Sequence, residues 1–134
     1  MTDGRQQLEA IAQSRPALGT EFDAQGVAEI VGVDLEAMLS FYRSLGFRID
    51  RRTGPFAVLS GFGMRIFLAE SADAPTYNRW VNLRIIVPDV DLVWECINAI
   101  EVPIVHPLVD QPWGLRDFVV GDPSGFEIRF AQVL

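Results

Sequence analysis

Val27-Ala28-Glu29-Ile30-Val31-Gly32-Val33-Asp34-Leu35-Glu36 returns, in pattern, as Asn82-Leu83-Arg84-Ile85-Ile86-Val87-Pro88-Asp89-Val90-Asp91. Each copy is an apolar extended run that stops at an aspartate and passes into helical spacing. Each half also ends on a matching strand, Gly63-Met64-Arg65-Ile66-Phe67-Leu68-Ala69 in the first and Gly125-Phe126-Glu127-Ile128-Arg129-Phe130-Ala131 in the second. A unit written twice implies a pseudo-twofold, with a site where the two copies face each other.

Outward from this repeat, the elements follow. Asp34 can cap a helix over 35–45 by accepting from the free amides of its first turn. Leu35, Met38, Leu39, Tyr42 and Leu45 then share one face, and Gly46 supplies the left-handed stop. Strands are predicted at 27–33, 46–52, 56–60 and 63–70, with Thr53-Gly54-Pro55 and Gly61-Phe62-Gly63 as turns. A loop with Ser71, Asp73, Pro75 and Asn78 joins the halves. The second unit repeats the order: strand 80–87, cap Asp89, and a helical stripe of Val90, Val93, Trp94, Ile97 and Ile100. Its last strands are predicted near 102–107, 115–121 and 125–132, the final two joined by Asp122-Pro123-Ser124-Gly125.

Three strands lie between one helix and the next, where a ferredoxin-like domain would have two. The predicted fold is therefore α+β, two βαβββ modules that curl into an open cup with helices outside. Residues 1–22 form an arm in which Leu8, Ile11 and Ala12 mark a short amphipathic helix ended by Pro16 and Gly19. Residues 23–134 are expected to be a single domain, with module one at 23–70, a linker at 71–79 and module two at 80–134.

Composition narrows the function. The chain has 134 residues, 49% of them apolar and 22% charged, an ordinary balance for one domain. No apolar run is long enough to span a bilayer, and the start lacks the order of a signal peptide, so a cytoplasmic protein with no membrane partner is expected. Cys96 is the single cysteine and lies in a helical apolar pattern, which reads as a buried inert thiol. A net charge of −7 disfavours nucleic acid, whose phosphates need clustered cations.

Further motifs carry a resemblance. Asp34-Leu35-Glu36 followed by Phe41-Tyr42-Arg43-Ser44-Leu45-Gly46-Phe47 resembles the vicinal oxygen chelate superfamily, which holds glyoxalase I, extradiol dioxygenases, fosfomycin-modifying enzymes and bleomycin resistance proteins. Gln111-Pro112-Trp113-Gly114-Leu115-Arg116-Asp117-Phe118, leading into Asp122-Pro123-Ser124-Gly125, looks most like the bleomycin resistance branch. The resemblance covers about residues 26–132.

The resemblance implies four metal-ligand positions, at the start of each unit's first strand and on each unit's last strand. Here they fall on Val27, Asn82, Phe67 and Arg129. A hard cation needs several nitrogen or carboxylate ligands converging on it. Valine and phenylalanine offer no lone pair, asparagine is a poor ligand, and a guanidinium repels a cation. Glu29 and Glu127 stand two residues from the expected sites, so a displaced carboxylate pair is the alternative. His106, the single histidine, is not at a ligand position, and Ser40, Ser44 and Ser124 lack a base partner suggested by the sequence.

Strand alternation places Val27, Glu29, Val31, Arg65, Phe67, Asn82, Arg84, Glu127 and Arg129 on one face, with Ile30, Ile66, Leu68, Leu83, Ile85, Ile128 and Phe130 as core behind it. Arg–Glu pairs bridging the sheet are one reading of these charges. A polar pocket with an aromatic wall is the other, with Trp113 as the ring to stack on a flat ligand and Trp80 and Phe62 as weaker members of that wall.

The expected function is therefore metal-independent binding of a small organic molecule, such as an antibiotic, by a homodimer with no cofactor. The ligand-binding set is Trp113, Phe67, Glu29, Arg65, Asn82, Arg84, Glu127 and Arg129, with no catalytic residue. The alternatives are a metal-dependent enzyme with displaced ligands and a structural module that binds nothing.

Overall fold

In the computed structural model, residues 3–77 and 80–134 are described, so Asn78 of the joining loop lies outside the described residues. The chain runs α1 (Gly4–Ala12), β1 (Ala28–Gly32), α2 (Leu35–Ser44), β2 (Arg48–Thr53), β3 (Phe56–Gly61), β4 (Met64–Glu70), β5 (Asn82–Ile86), α3 (Val90–Asn98), β6 (Ile104–Asp110), β7 (Leu115–Gly121) and β8 (Glu127–Val133). Two four-stranded sheets result, ordered β1-β4-β3-β2 and β5-β8-β7-β6. In each, the first strand pairs parallel to the last and the other neighbours are antiparallel. The two βαβββ modules are thus present, and neither sheet closes into a barrel.

The caps act as their chemistry requires. Asp34 accepts from the amide of Ala37 at 3.1 Å, and Asp89 accepts from Leu92 at the same distance. Gly46 has a φ of +104°, and a Cβ there would come within 2.6 Å of the Leu8 carbonyl oxygen. Only glycine both ends α2 and lets α1 pack on its end.

One core serves both modules. The helix-facing residues Ile30, Ile66 and Leu68 of the first sheet join Ile85, Phe118, Ile128 and Phe130 of the second, with Leu8 of α1 and the inner faces of α2 and α3 between them. Phe130 is fully buried, stacked on Phe118 at 5.4 Å and met edge-on by Phe62 at 5.4 Å. Phe62, a weak candidate for the ligand wall, packs half-buried against the core and also borders a cavity of about 700 Å³. It turns inward from a two-residue turn, where its φ is +53°. Trp94 packs its edge on Phe118 at 5.0 Å and stays partly exposed at the margin of the core.

A polar staple also joins the modules. Tyr42 on α2 donates to Asp122 Oδ2 at 2.7 Å across 80 residues. Asp122 Oδ1 accepts from the Ser124 amide, the Ser124 hydroxyl and the Phe126 amide at 2.8, 2.6 and 2.9 Å. Ser124 in this turn is thereby explained as structural. Burial, and then the neighbouring Asp122 charge, raise the Tyr42 phenol far above its ordinary range. A raised pKa means that the folded state keeps a proton the unfolded chain releases. Its stability is complete below the unfolded value, about 10, and declines as pH climbs above it. Urea unfolding at rising alkaline pH is expected to show this decline in the wild type and a shallower one in Tyr42→Phe.

Candidate functional site

The face of each sheet away from the helices holds the candidate residues, and strand pairing fixes which of them are neighbours. On the first sheet, Glu29 pairs with Phe67 and Phe67 with Val58, while Ser60 pairs with Arg65. On the second, Asn82 pairs with Glu127, Arg84 with Arg129, Arg129 with Val119, and Ala131 with Asp117. Val58, Val119 and Ala131 are buried on these open faces, yet outside the shared core. The structure therefore gathers the predicted set into two groups: Glu29, Arg65 and Phe67 on one sheet, and Asn82, Arg84, Glu127 and Arg129 on the other. The common core lies between the sheets, so the predicted set is split between two separate faces.

The second sheet's open face is graded from polar to apolar. At its polar end, Arg84 Nη1 bonds Asp117 Oδ2 at 3.0 Å, and Gln111 Nε2 donates to Asp117 Oδ1 at 2.9 Å. Asp117 is only 1% exposed, so this charge is held by its two partners. Arg129 reaches Glu127 at 3.5 Å, a weak contact, and its buried Nε has no hydrogen-bond partner. The Arg–Glu bridges expected from the sequence thus reduce to one long contact, because Arg84 turns to Asp117 instead. The two arginines and two carboxylates balance.

The apolar end is uncovered. Ile86 pairs with Ala131, Val109 with Asp117, and Val133 with Leu115, which puts these side chains on the same open face. Ile86, Val109 and Val133 are exposed, and Trp113 is 62% exposed at the tip of the β6–β7 hairpin. The turn is held by Gln111 and Leu115, whose amide-to-carbonyl bond is 2.7 Å, and by Gly114 at a φ of +88°. The Trp113 ring is largely presented to solvent. Trp80 is exposed as well, next to the start of β5.

The first sheet's open face is partly covered by the arm. Arg65 donates to the carbonyls of Leu18 and Gly19 and to Gln25 Oε1, and Arg51 pairs with Glu21 at 3.3 Å. Phe67 meets Phe56 edge-on at 5.1 Å, and the Arg51 guanidinium lies 5.8 Å from the Phe56 ring centre. Glu29 is exposed at the sheet edge.

Sequence reasoning missed Asp117, Val119, Phe56, Val58 and Ser60. The period-two alternation that picked residues 65, 67, 127 and 129 would have found them on β3 and β7. His106 also lies on the open face, opposite Val119, and is exposed.

A divalent ion does not fit the residues present. Val27, Asn82, Phe67 and Arg129 occupy the implied ligand positions, and Glu29 and Glu127 belong to different sheets. Among the described residues no three His, Cys, Asp or Glu side chains gather where they could hold a metal ion. Cys96 is buried near Gln7 Oε1, and burial raises its thiol. That is the opposite of an activated nucleophile.

Comparison with known proteins places this geometry. The sequence profile of the Glyoxalase/Bleomycin resistance protein/Dioxygenase superfamily matches residues 24–130. The chain belongs to that superfamily. Among proteins of curated function none matches the sequence. Solved superfamily structures share the fold. A glyoxalase/bleomycin resistance protein/dioxygenase from Alicyclobacillus acidocaldarius superposes with a TM-score of 0.74 at 20% identity, over 84% of this chain and 92% of that one. The bleomycin-binding protein from bleomycin-producing Streptomyces verticillus, complexed with copper(II)-bleomycin, gives 0.64 at 25% identity, over 83% and 97%. TioX from Micromonospora sp. ML1 gives 0.65 at 25% identity, over the same shares. Among the described residues of this superfamily member, no helix is long and apolar enough to cross a membrane.

Proposed function

We propose that this protein is a metal-independent binder of small aromatic molecules, of the bleomycin resistance type, acting in the cytoplasm as a homodimer. The observation that carries the reading is the graded open face of the second sheet. It offers charge-balanced polar groups from Asn82, Arg84, Asp117, Glu127 and Arg129, then uncovered Ile86, Val109, Val133 and Trp113. Such a face suits an amphiphilic ligand with a planar ring, because an exposed apolar patch rimmed by polar groups marks a binding surface.

The dimer follows from incompleteness. Each chain presents two half-sites, and β1 and β5 both lie at sheet edges. Edge strands with unpaired backbone groups invite a second chain. A second copy could set Glu29 and Phe67 of one chain opposite Arg84 and Trp113 of the other. Sequestration of an antibiotic is the specific form of this proposal, supported by the likeness to bleomycin-binding proteins.

Calorimetric titration with metal-free bleomycin, alongside a thermal-shift panel of aromatic drugs, tests it. At least one ligand should raise the melting temperature, since anything that binds the native state alone stabilises it by mass action. Trp113→Ala is expected to weaken that binding by about 1–3 kcal/mol and leave the fold intact. An unchanged dissociation constant removes Trp113 from the site, and a panel without a single response favours a structural module.

A further inference from the structure

On the other sheet, beneath the arm, two arginines flank a serine. Arg48 on β2 pairs with Ser60 on β3, and Ser60 pairs with Arg65 on β4. Paired positions put side chains on the same face of a sheet as near neighbours. Ser60 therefore stands in a row between two arginines. Beside this row is a cavity of about 310 Å³, bounded by Ser60, Arg48, Arg65 and Asp50 on the sheet and by Gln13 and Arg15 from the segment after α1.

We propose that this cavity binds the phosphate group of a small phosphate monoester. Ser60 is 6% exposed, and its Oγ has no hydrogen-bond partner. A buried hydroxyl left unpaired is unfavourable, and folded proteins seldom leave one so. Three arginines face a single carboxylate here, in a protein whose net charge is −7. Arg48 engages Asp50 through Nε at 3.0 Å, and Arg15 forms no ion pair among the described residues. Arg65 is oriented by the Gly19 carbonyl at 2.8 Å and by Gln25 Oε1 at 2.9 Å. The site's surplus of positive charge suits a dianion, and the guanidinium fork matches phosphate oxygens with paired donors. The volume lies at the lower end of ligand pockets, about 300–1,000 Å³, so a phosphate with a short organic group is accommodated. Arg65 is shared with the first-sheet part of the drug-binding proposal, whereas Ser60, Arg48 and Arg15 are not, so Ser60→Ala separates the two.

Inorganic phosphate is the probe, compared with chloride and acetate at matched ionic strength by thermal shift and calorimetry. Phosphate should raise the melting temperature and the other two anions should not. Arg48→Gln/Arg65→Gln should abolish the response. Ser60→Ala should weaken phosphate binding by roughly ten- to hundredfold, the value of one hydrogen bond to a charged group. It should not lower the melting temperature of the ligand-free protein, because the hydroxyl it removes has no partner in the fold. A response to phosphate no larger than to chloride or acetate overturns the proposal. So does wild-type phosphate affinity in Ser60→Ala and in the arginine double variant.

Discussion

Replacing Asp122 with alanine is expected to destabilise the protein by about 3–5 kcal/mol, because each buried donor left stranded costs about 1–3 kcal/mol. Its two carboxylate oxygens accept from the Tyr42 hydroxyl, the Ser124 amide and hydroxyl, and the Phe126 amide. Asp122 itself is 6% exposed, so water cannot readily take over these bonds. The damage extends beyond one turn, since Tyr42 belongs to module one and Asp122 to module two. Asp122→Asn retains one acceptor oxygen and should lose about half as much. Urea unfolding of the two variants gives the comparison. A loss below about 1 kcal/mol for the alanine variant would show that the staple is dispensable.

The larger expected effect is a gain of affinity. Val27→His, Asn82→His and Arg129→Glu together should create micromolar binding of Zn²⁺ or Ni²⁺, about 8 kcal/mol at the usual standard state, where the wild type is expected to show none. Two imidazoles and a carboxylate leave an open fourth position, as in catalytic zinc sites. Arg129→Glu also removes a cation that repels the metal. On β5 and β8, positions 82 and 129 are diagonal neighbours, since Asn82 pairs with Glu127 and Arg84 with Arg129. Val27 immediately precedes β1 of the other sheet, so it completes the set from a second copy in the proposed dimer. The Asn82→His/Arg129→Glu pair alone should bind far more weakly. A folded, dimeric triple variant that takes up no metal would mean that the register of the implied ligand positions is wrong.

Much of the fold was legible because it is local and repeated. Asp34 and Asp89 announce helices through cap chemistry, Gly46 ends one, and Ile30, Ile66, Leu68, Ile128 and Phe130 alternate as half-buried strands must. The strand boundaries were less legible where pairing is interrupted. β6 was expected over 102–107 and runs from Ile104 to Asp110, with register shifts on both sides of His106. Pro107 has no amide to donate, so the ladder breaks there and resumes beyond it. Nothing local in the sequence shows that the Phe62 ring reaches Phe130, since an aromatic residue at positive φ is rare.

The candidate site was legible only in part. Period-two alternation put Asn82, Arg84, Glu127 and Arg129 on one face, and the Pro-Trp-Gly turn presents Trp113 as read. Their partners are set by tertiary geometry. Arg84 bonds a buried aspartate 33 residues away, and Arg65 is held by an arm that the repeat does not contain. Those contacts divide the predicted lining into a charge-paired face on the second sheet and an arginine held under the arm.

The central claim is that the open faces bind organic ligands without a metal. Elemental analysis of the wild-type protein, purified without chelator, tests it most directly. The account predicts nickel, zinc, manganese and iron far below one ion per chain, with no gain on dialysis against these metals. One tightly held ion per chain, lost when Glu29 or Glu127 is replaced by glutamine, would contradict it and make the protein a metal-dependent enzyme with displaced ligands.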